Sequence, residues 1–288
     1  MVKLIDKLFV KDLFPERDEN SNKGSFLKVL NVAGCSNYSG AAFLSSLAPL
    51  RVGGGFVSLA CPKTIISRFS AILPEVTYFP LEETKNGSIG SSNDFFFIKD
   101  YPIVSIGCGL SVDEDTSKFV LRIIESLEDK RIVIDADAIN ILAKANYNKS
   151  IKNSIFTPHP KELSRLLNVS LDEILNNREK YARITSQKFD CITVLKGKDT
   201  IVSDGDEIFV NTTGNSALAK AGSGDVLTGI ISGLLSQKVS CLNAAIIGVY
   251  LHGLAGDLAS EDLTKYSVLA SDVIDYIPFA IKEILCEN

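Results

Sequence analysis

The feature that most constrains this chain is a junction that recurs along it. A short apolar run gives way to a loop of glycine or small polar residues, and the loop feeds a helical stretch. Ser25–Ala33 ends in Gly34-Cys35-Ser36-Asn37-Tyr38-Ser39-Gly40 and passes into a helix from about Gly40 to Val52, closed by Gly53-Gly54-Gly55. Phe56–Ala60 and Pro74–Pro80 read as strands around a helix over Pro62–Leu73. Leu81–Lys99 is a polar, irregular excursion whose Asp94-Phe95-Phe96-Phe97-Ile98 run forms a buried patch or an oligomer contact. Tyr101–Ile106 ends in Gly107-Cys108-Gly109-Leu110 before an amphipathic helix over Asp113–Glu128. Arg131–Ile134 ends in Asp135-Ala136-Asp137, and the run from Ser154 ends in Thr157-Pro158-His159-Pro160. A long charged helix covers Ser170–Phe189, and Cys191–Leu195 runs into Lys196-Gly197-Lys198-Asp199-Thr200. Asp204-Gly205-Asp206 makes a hairpin between Ile201–Ser203 and Glu207–Val210. Helices near Val226–Leu235, Leu242–Leu258 and Val268–Leu285 complete the chain. This alternation predicts an α/β fold with a mostly parallel sheet and helices on both faces. No linker or composition break divides it, so residues 1–288 read as one domain with residues 1–22 as an N-terminal extension.

Open α/β sheets bind ligands at the carboxyl ends of their strands, so the junction loops are where chemistry belongs. The most informative is Asn215–Gly229, where Ala221-Gly222-Ser223-Gly224-Asp225 runs straight into an apolar helix. Glycines let the backbone turn and let a ligand approach its amides. The first helical turn offers N–H groups without intrahelical partners and the positive end of the helix dipole. Gly222, Ser223 and Gly224 therefore make an anion hole suited to phosphate. Asp225 either sits there as a favoured first-turn carboxylate or takes a proton from a substrate hydroxyl during phosphoryl transfer.

Composition removes several function classes. The net charge of −5 and the absence of any basic block exclude a nucleic-acid or anionic-membrane surface. The N-terminus lacks the apolar core of a secretory signal. The most apolar segment, Ala244–Ala259, carries His252 and Asp257 and reads as a buried helix too short to span a bilayer. Six scattered cysteines form no CxxC pair and read as reduced core thiols, which places the protein in the cytoplasm.

Other junction residues leave two readings open. Asp135 and Asp137 either hold a magnesium-bound water or cap the helix from Ala138. Lys196 and Lys198 either neutralise nucleotide phosphates or are solvated turn residues. His159, fixed between Pro158 and Pro160 at the end of an apolar run, reads as a substrate contact.

Seven of these junctions, in order, resemble one known family. They are Gly34 with Tyr38–Ala42, Ile106–Leu110, Asp135–Asn140, Thr157–Glu162, Leu195–Thr200, Asn211–Asn215 and Ala221–Gly229. The chain resembles, from about Lys23 to near its C-terminus, the ADP/ATP-dependent NAD(P)H-hydrate dehydratases of the ribokinase-like superfamily. The resemblance implies a ribokinase-like fold and a metabolite-repair reaction. ADP or ATP phosphorylates the added hydroxyl of hydrated NADH or NADPH, and elimination of phosphate restores the reduced dinucleotide. Carried over residue by residue, it implies that Ala41, Gly109, His159 and Asp225 contact the hydrated dinucleotide, with Asp225 as the base. Lys196, Gly197, Lys198, Asp199, Thr200 and Gly224 would contact the nucleotide, with Glu162 an indirect ligand of magnesium. It also implies a homotetramer and a functional link to an epimerase, expected here to be a separate protein. Two positions depart from the family pattern: Cys108 stands where proline is frequent, and Ser216-Ala217 where Pro-Gly is common.

Two rivals share these residues. A small-molecule kinase of the same superfamily, acting on a vitamin precursor or sugar, would use the same Gly-Ser-Gly-Asp loop. A nucleotide-sensing module would keep the fold but has no need of Asp225.

Overall fold

The computed structural model describes residues 2–286. Ten strands form one sheet: β1 (Val2–Ile5), β2 (Val29–Val32), β3 (Val57–Pro62), β4 (Thr77–Leu81), β5 (Ile103–Ile106), β6 (Arg131–Ile134), β7 (Ser154–Phe156), β8 (Ile192–Leu195), β9 (Ile201–Ser203) and β10 (Ile208–Asn211). Their spatial order is β1-β10-β9-β8-β7-β6-β5-β2-β3-β4. Every pairing is parallel except those of β9, which runs antiparallel to β8 and β10. The loop over residues 196–200 reverses the chain into β9, and the Asp204-Gly205-Asp206 hairpin turns it back into β10.

The near-continuous apolar runs follow from burial on both faces, as parallel sheets require. Val29, Val57, Ile103, Val133 and Ile155 point into one core, while Leu30, Ala60, Val104, Ile132 and Phe156 point into the other. Helices α2 (Ser39–Arg51), α3 (Lys63–Phe69), α9 (Ser223–Ser236), α10 (Cys241–Ser267) and α11 (Ala270–Leu285) cover the first face. Helices α4 (Glu114–Glu125), α5 (Ala136–Lys144), α6 (Pro160–Leu167), α7 (Leu171–Asn176) and α8 (Arg178–Phe189) cover the second. The tightest seam is α2 against α9, where a Cβ at Gly233 would lie 2.2 Å from Val52 Cγ2. This packing pins the start of α9, and with it the Gly222–Asp225 loop.

Three elements differ from the sequence reading. The N-terminal extension contains β1, which pairs with β10 at the sheet edge, and α1 (Lys7–Leu13), capped by the Asp6 side chain. Its charged residues face out while Ile5 and Val10 are fully buried, so short alternation hid an edge strand. The single helix over 170–189 is two helices, because Asn177 adopts φ −139°, ψ 46° between α7 and α8. α10 extends beyond the apolar segment, and its span is interrupted at Thr264, which leaves the helical region with φ 67°, ψ 154°. It is the one helix among the described residues long and apolar enough to cross a membrane, yet 72% of its most apolar window is buried inside the protein.

Candidate active site

The carboxyl ends of β2, β5, β6, β7 and β8 converge on the start of α9. Gly222 precedes α9 with φ +94°, a left-handed conformation that side-chain-bearing residues resist. A Cβ there would also lie 2.6 Å from Leu44 Cδ1 and 3.0 Å from Ala270 Cβ. Ser223 and Gly224 thus open the helix at its positive end, where the Ser223 amide donates to the Lys220 carbonyl at 3.3 Å.

Asp225 occupies the first turn of α9. Burial, and then the neighbouring Asp135 carboxylate, raise its carboxyl to about 6 against a pull downward from Cys108 and Lys196. It is therefore poised to be a carboxylate at neutral pH and to accept a proton with little driving force lost.

Asp135 resolves the reading left open at β6. Its side chain makes no capping bond to α5. Lys196 Nζ instead lies 2.7 Å from its Oδ1, and Thr228 Oγ1 donates to its Oδ2 at 2.9 Å. Asp137 Oδ2 accepts the Ser111 amide at 2.8 Å, which holds the loop after β5. Lys196 keeps its proton firmly, because Asp135 and Glu162 more than offset the burial that opposes its charge.

His159 caps α6 rather than pointing freely into solvent. Its Nδ1 accepts the Lys161 and Glu162 amides at 3.1 and 3.2 Å, while Glu162 Oε2 accepts the His159 amide at 2.8 Å. Glu162 Oε1 also lies 3.3 Å from His159 Nε2. Burial and the Lys196 charge hold His159 toward its neutral form. Burial pushes Glu162 up to about 7, against the pull of Lys196.

Beside these groups opens a cavity of about 880 Å³, large enough for a nucleotide. His159, Lys196, Gly197, Lys198, Asp199, Thr200, Ser223 and Gly224 all line it. Ala41, Gly109 and Asp225 are not among its lining residues. Gly109 packs on Ala41, since a Cβ at 109 would lie 2.8 Å from Ala41 Cβ, and Asp225 neighbours Cys108 and Asp135. The sequence-predicted residues therefore fall into two adjoining groups: Ala41, Gly109 and Asp225 in one, and Lys196–Thr200 with Gly224 around the cavity in the other, where His159 also lies, apart from the other expected dinucleotide contacts. Within the second group Gly224 and Lys196 meet, because a Cβ at Gly224 would lie 3.2 Å from Lys196 Nζ.

The sequence reading missed the support beneath the site. Ser223 Oγ lies 3.2 Å from Nε2 of His252, a buried cavity residue whose ring burial holds neutral, down to about 4. Asp257 accepts the Gly214 amide at 2.7 Å and the Asn215 side chain at 2.6 Å, fixing the loop before α9. Both partners sit on α10, and nothing local in the sequence joins them to residues so far along the chain.

Cys108 Sγ and a carboxylate oxygen each from Asp135 and Asp225 all lie within 4.8 Å of one another. Their chemistry does not suit magnesium. Burial keeps the Cys108 thiol protonated, and Lys196 and Thr228 already take both oxygens of Asp135. Glu162 is a buried oxygen donor whose charge a nearby cation would stabilise, but both its oxygens face His159, which leaves it an indirect contact through water at most.

The sequence profile of the NAD(P)H-hydrate dehydratases matches residues 29–279. The chain belongs to that family. The ADP-dependent (S)-NAD(P)H-hydrate dehydratase of Bacillus subtilis is 33% identical over 271 residues, 93% of this chain and 94% of its own length. A bifunctional NAD(P)H-hydrate repair enzyme of Dictyoglomus turgidum is 34% identical over 99% of this chain and 56% of its own length. The chain spans about half the length of the bifunctional curated relatives it matches. The crystal structure of the Bacillus subtilis ADP/ATP-dependent NAD(P)H-hydrate dehydratase, co-crystallized with ATP and magnesium, superposes with a TM-score of 0.87. That pair shares 31% identity, covering 98% of this chain and 99% of the other. The ribokinase-like fold that the resemblance implied is borne out as well by a ribokinase-like protein of Enterococcus faecalis with 26% identity, which superposes with a TM-score of 0.86.

Proposed function

We propose that this chain restores hydrated NADH and NADPH to their reduced forms, using ADP or ATP as phosphoryl donor. The observation that carries the reading is Asp225 at the first turn of α9, a half-buried carboxylate raised to about 6 beside an anion hole and a nucleotide-sized cavity. Family membership supplies the substrate.

The nucleotide lies along Lys196–Thr200 with its phosphates toward Gly224, and the hydrated dinucleotide lies over Ala41, Gly109 and His159. Asp225 removes the proton of the added hydroxyl as that oxygen bonds to the terminal phosphorus and the bond to the nucleotide's bridging oxygen breaks. The amides of Gly222, Ser223 and Gly224 stabilise the charge on the phosphoryl oxygens. Phosphate then leaves the ring carbon with the bonding pair, a proton leaves the adjacent carbon, and the double bond returns. Magnesium bound with the nucleotide would neutralise phosphate charge, and Glu162 would hold it indirectly, through water. Lys196 orders Asp135 and counters the negative charge gathered around Asp225.

We further propose a cytoplasmic homotetramer acting as one catalytic domain, functionally linked to an epimerase of the same hydrates. The bifunctional names of longer relatives support that link, and six free cysteines suit a reducing compartment.

The test is product analysis. Incubation with hydrated NADPH, magnesium and ADP or ATP should release one orthophosphate per NADPH formed, with no phosphorylated nicotinamide accumulating. A stable phosphorylated product would make the protein a kinase instead.

A further inference from the structure

Arg178 is not itself among the residues assigned above as ligand contacts, yet it holds the backbone of the loop that carries most of them. It begins α8 because Asn177 leaves the helical region and ends α7. A cation in the first turn of a helix is opposed by the helix dipole, so α8 itself gives no reason for an arginine here.

The reason lies across the gap, in the loop between β8 and β9. Arg178 Nη1 donates to the Lys198 carbonyl at 2.6 Å, and Nη2 donates to the Leu195 carbonyl at 3.2 Å. Thr200 Oγ1 donates to the Gly197 carbonyl at 2.9 Å. A Cβ at Gly197 would lie 3.1 Å from Nη2 and 3.5 Å from Cζ, so the guanidinium rests directly on this backbone. Burial lowers the pKa of Arg178, with the Asp199 carboxylate opposing. Its Nε is the one buried side-chain polar atom without a partner among the described residues. An unpaired buried donor is costly, and the fold accepts it to keep the two Nη groups on the loop.

The consequence follows from peptide geometry. In a trans peptide the carbonyl of one residue and the N–H of the next point in opposite directions. Drawing the Lys198 carbonyl to Arg178 therefore turns the Asp199 amide the other way, while Thr200 does the same for the Lys198 amide through the Gly197 carbonyl. Residues 196–200 line the large cavity, and Arg178 does not. A phosphate accepts hydrogen bonds from N–H and is repelled by carbonyl oxygen, so this choice of face decides whether the loop welcomes an anion.

We propose that Arg178 is a positioning residue that sets the polarity of the nucleotide loop, turning the Asp199 amide toward the polyphosphate of ADP or ATP. It acts through the backbone and makes no contact with the nucleotide. The proposal rests on the nucleotide site described under the proposed function.

The experiment is calorimetric titration of the full-length protein and its Arg178→Met and Arg178→Lys variants with ADP–magnesium and ATP–magnesium. Adenosine, which has no phosphates, is measured in parallel by ligand-observed NMR. Arg178→Met should weaken ADP and ATP binding by about tenfold or more while leaving adenosine binding within about twofold. Arg178→Lys, with a donor but no fork, should fall between. In turnover the loss should appear in the nucleotide KM far more than in kcat. Wild-type affinity for ADP in Arg178→Met would overturn the proposal, as would equal losses of ADP and adenosine. If Arg178→Met does not fold, Arg178→Lys carries the same comparison. Wild-type protein that binds no nucleotide would overturn the nucleotide site itself, a result distinct from a silent Arg178.

Discussion

Lys196 Nζ and Asp135 Oδ1, 2.7 Å apart, join the ends of β8 and β6 across β7, with the aspartate side chain only 1% exposed and the lysine 19%. The pair balances the negative charge of the site and sets the field in which Asp225 titrates. Removing one member of a buried pair leaves the other uncompensated, at about 3–5 kcal/mol. Lys196→Met should therefore lower unfolding stability by about that amount, measured by urea denaturation, and Lys196→Met with Asp135→Asn should recover part of it. A loss under about 1 kcal/mol in the single variant would mean that water reaches Asp135.

Asp225→Asn should abolish most turnover, by about a hundredfold or more in kcat, with nucleotide affinity nearly unchanged. The change removes a proton acceptor and almost no volume. Loss of ADP binding from a folded variant would assign Asp225 to binding instead.

The pH profile follows from the same carboxyl. Asp225 must be ionised to act as a base, and its carboxyl is raised to about 6 by burial and then by Asp135. Activity should be full above that value and fall as pH drops through it. Asp135→Asn removes a negative neighbour and frees the Lys196 charge, so the acid limb should move to lower pH. An acid limb that stays fixed in this variant would show that another group controls it.

Much of this arrangement was legible in the sequence. Each junction loop lies at the carboxyl end of a strand, and Gly222–Asp225, Lys196–Thr200 and His159 face one region because a parallel sheet collects those ends on one side. The partnerships were not legible. Asp135 and Lys196 stand 61 residues apart, and only the order β6-β7-β8 brings them together. Ser223 and His252 meet because α10 packs against α9, a fact of tertiary packing that no periodicity records. The break at Asn177 falls at Asn176-Asn177, two weak helix formers whose short signal is outweighed by the good helix formers on either side. The strand over residues 2–5 was too short to show its period.

His252 supplies a stability prediction of known sign. Its ring has a folded value of about 4 against 6.5 when unfolded, so the unfolded chain takes up a proton first as pH falls. The stability that the neutral ring contributes is complete above 6.5 and is lost progressively between 6.5 and about 4. The full loss is about 3 kcal/mol. His252→Gln should flatten the decline in thermal midpoint across this window relative to wild type. Parallel curves for the two proteins would mean that the ring protonates in place.

The central claim is most directly tested by the dihydronicotinamide absorbance of purified protein mixed with hydrated NADH, magnesium and either ADP or ATP. The account predicts that the band returns only when a nucleotide is present, and that the faster nucleotide identifies the donor. A folded protein that binds ADP or ATP yet restores no absorbance with either would contradict it.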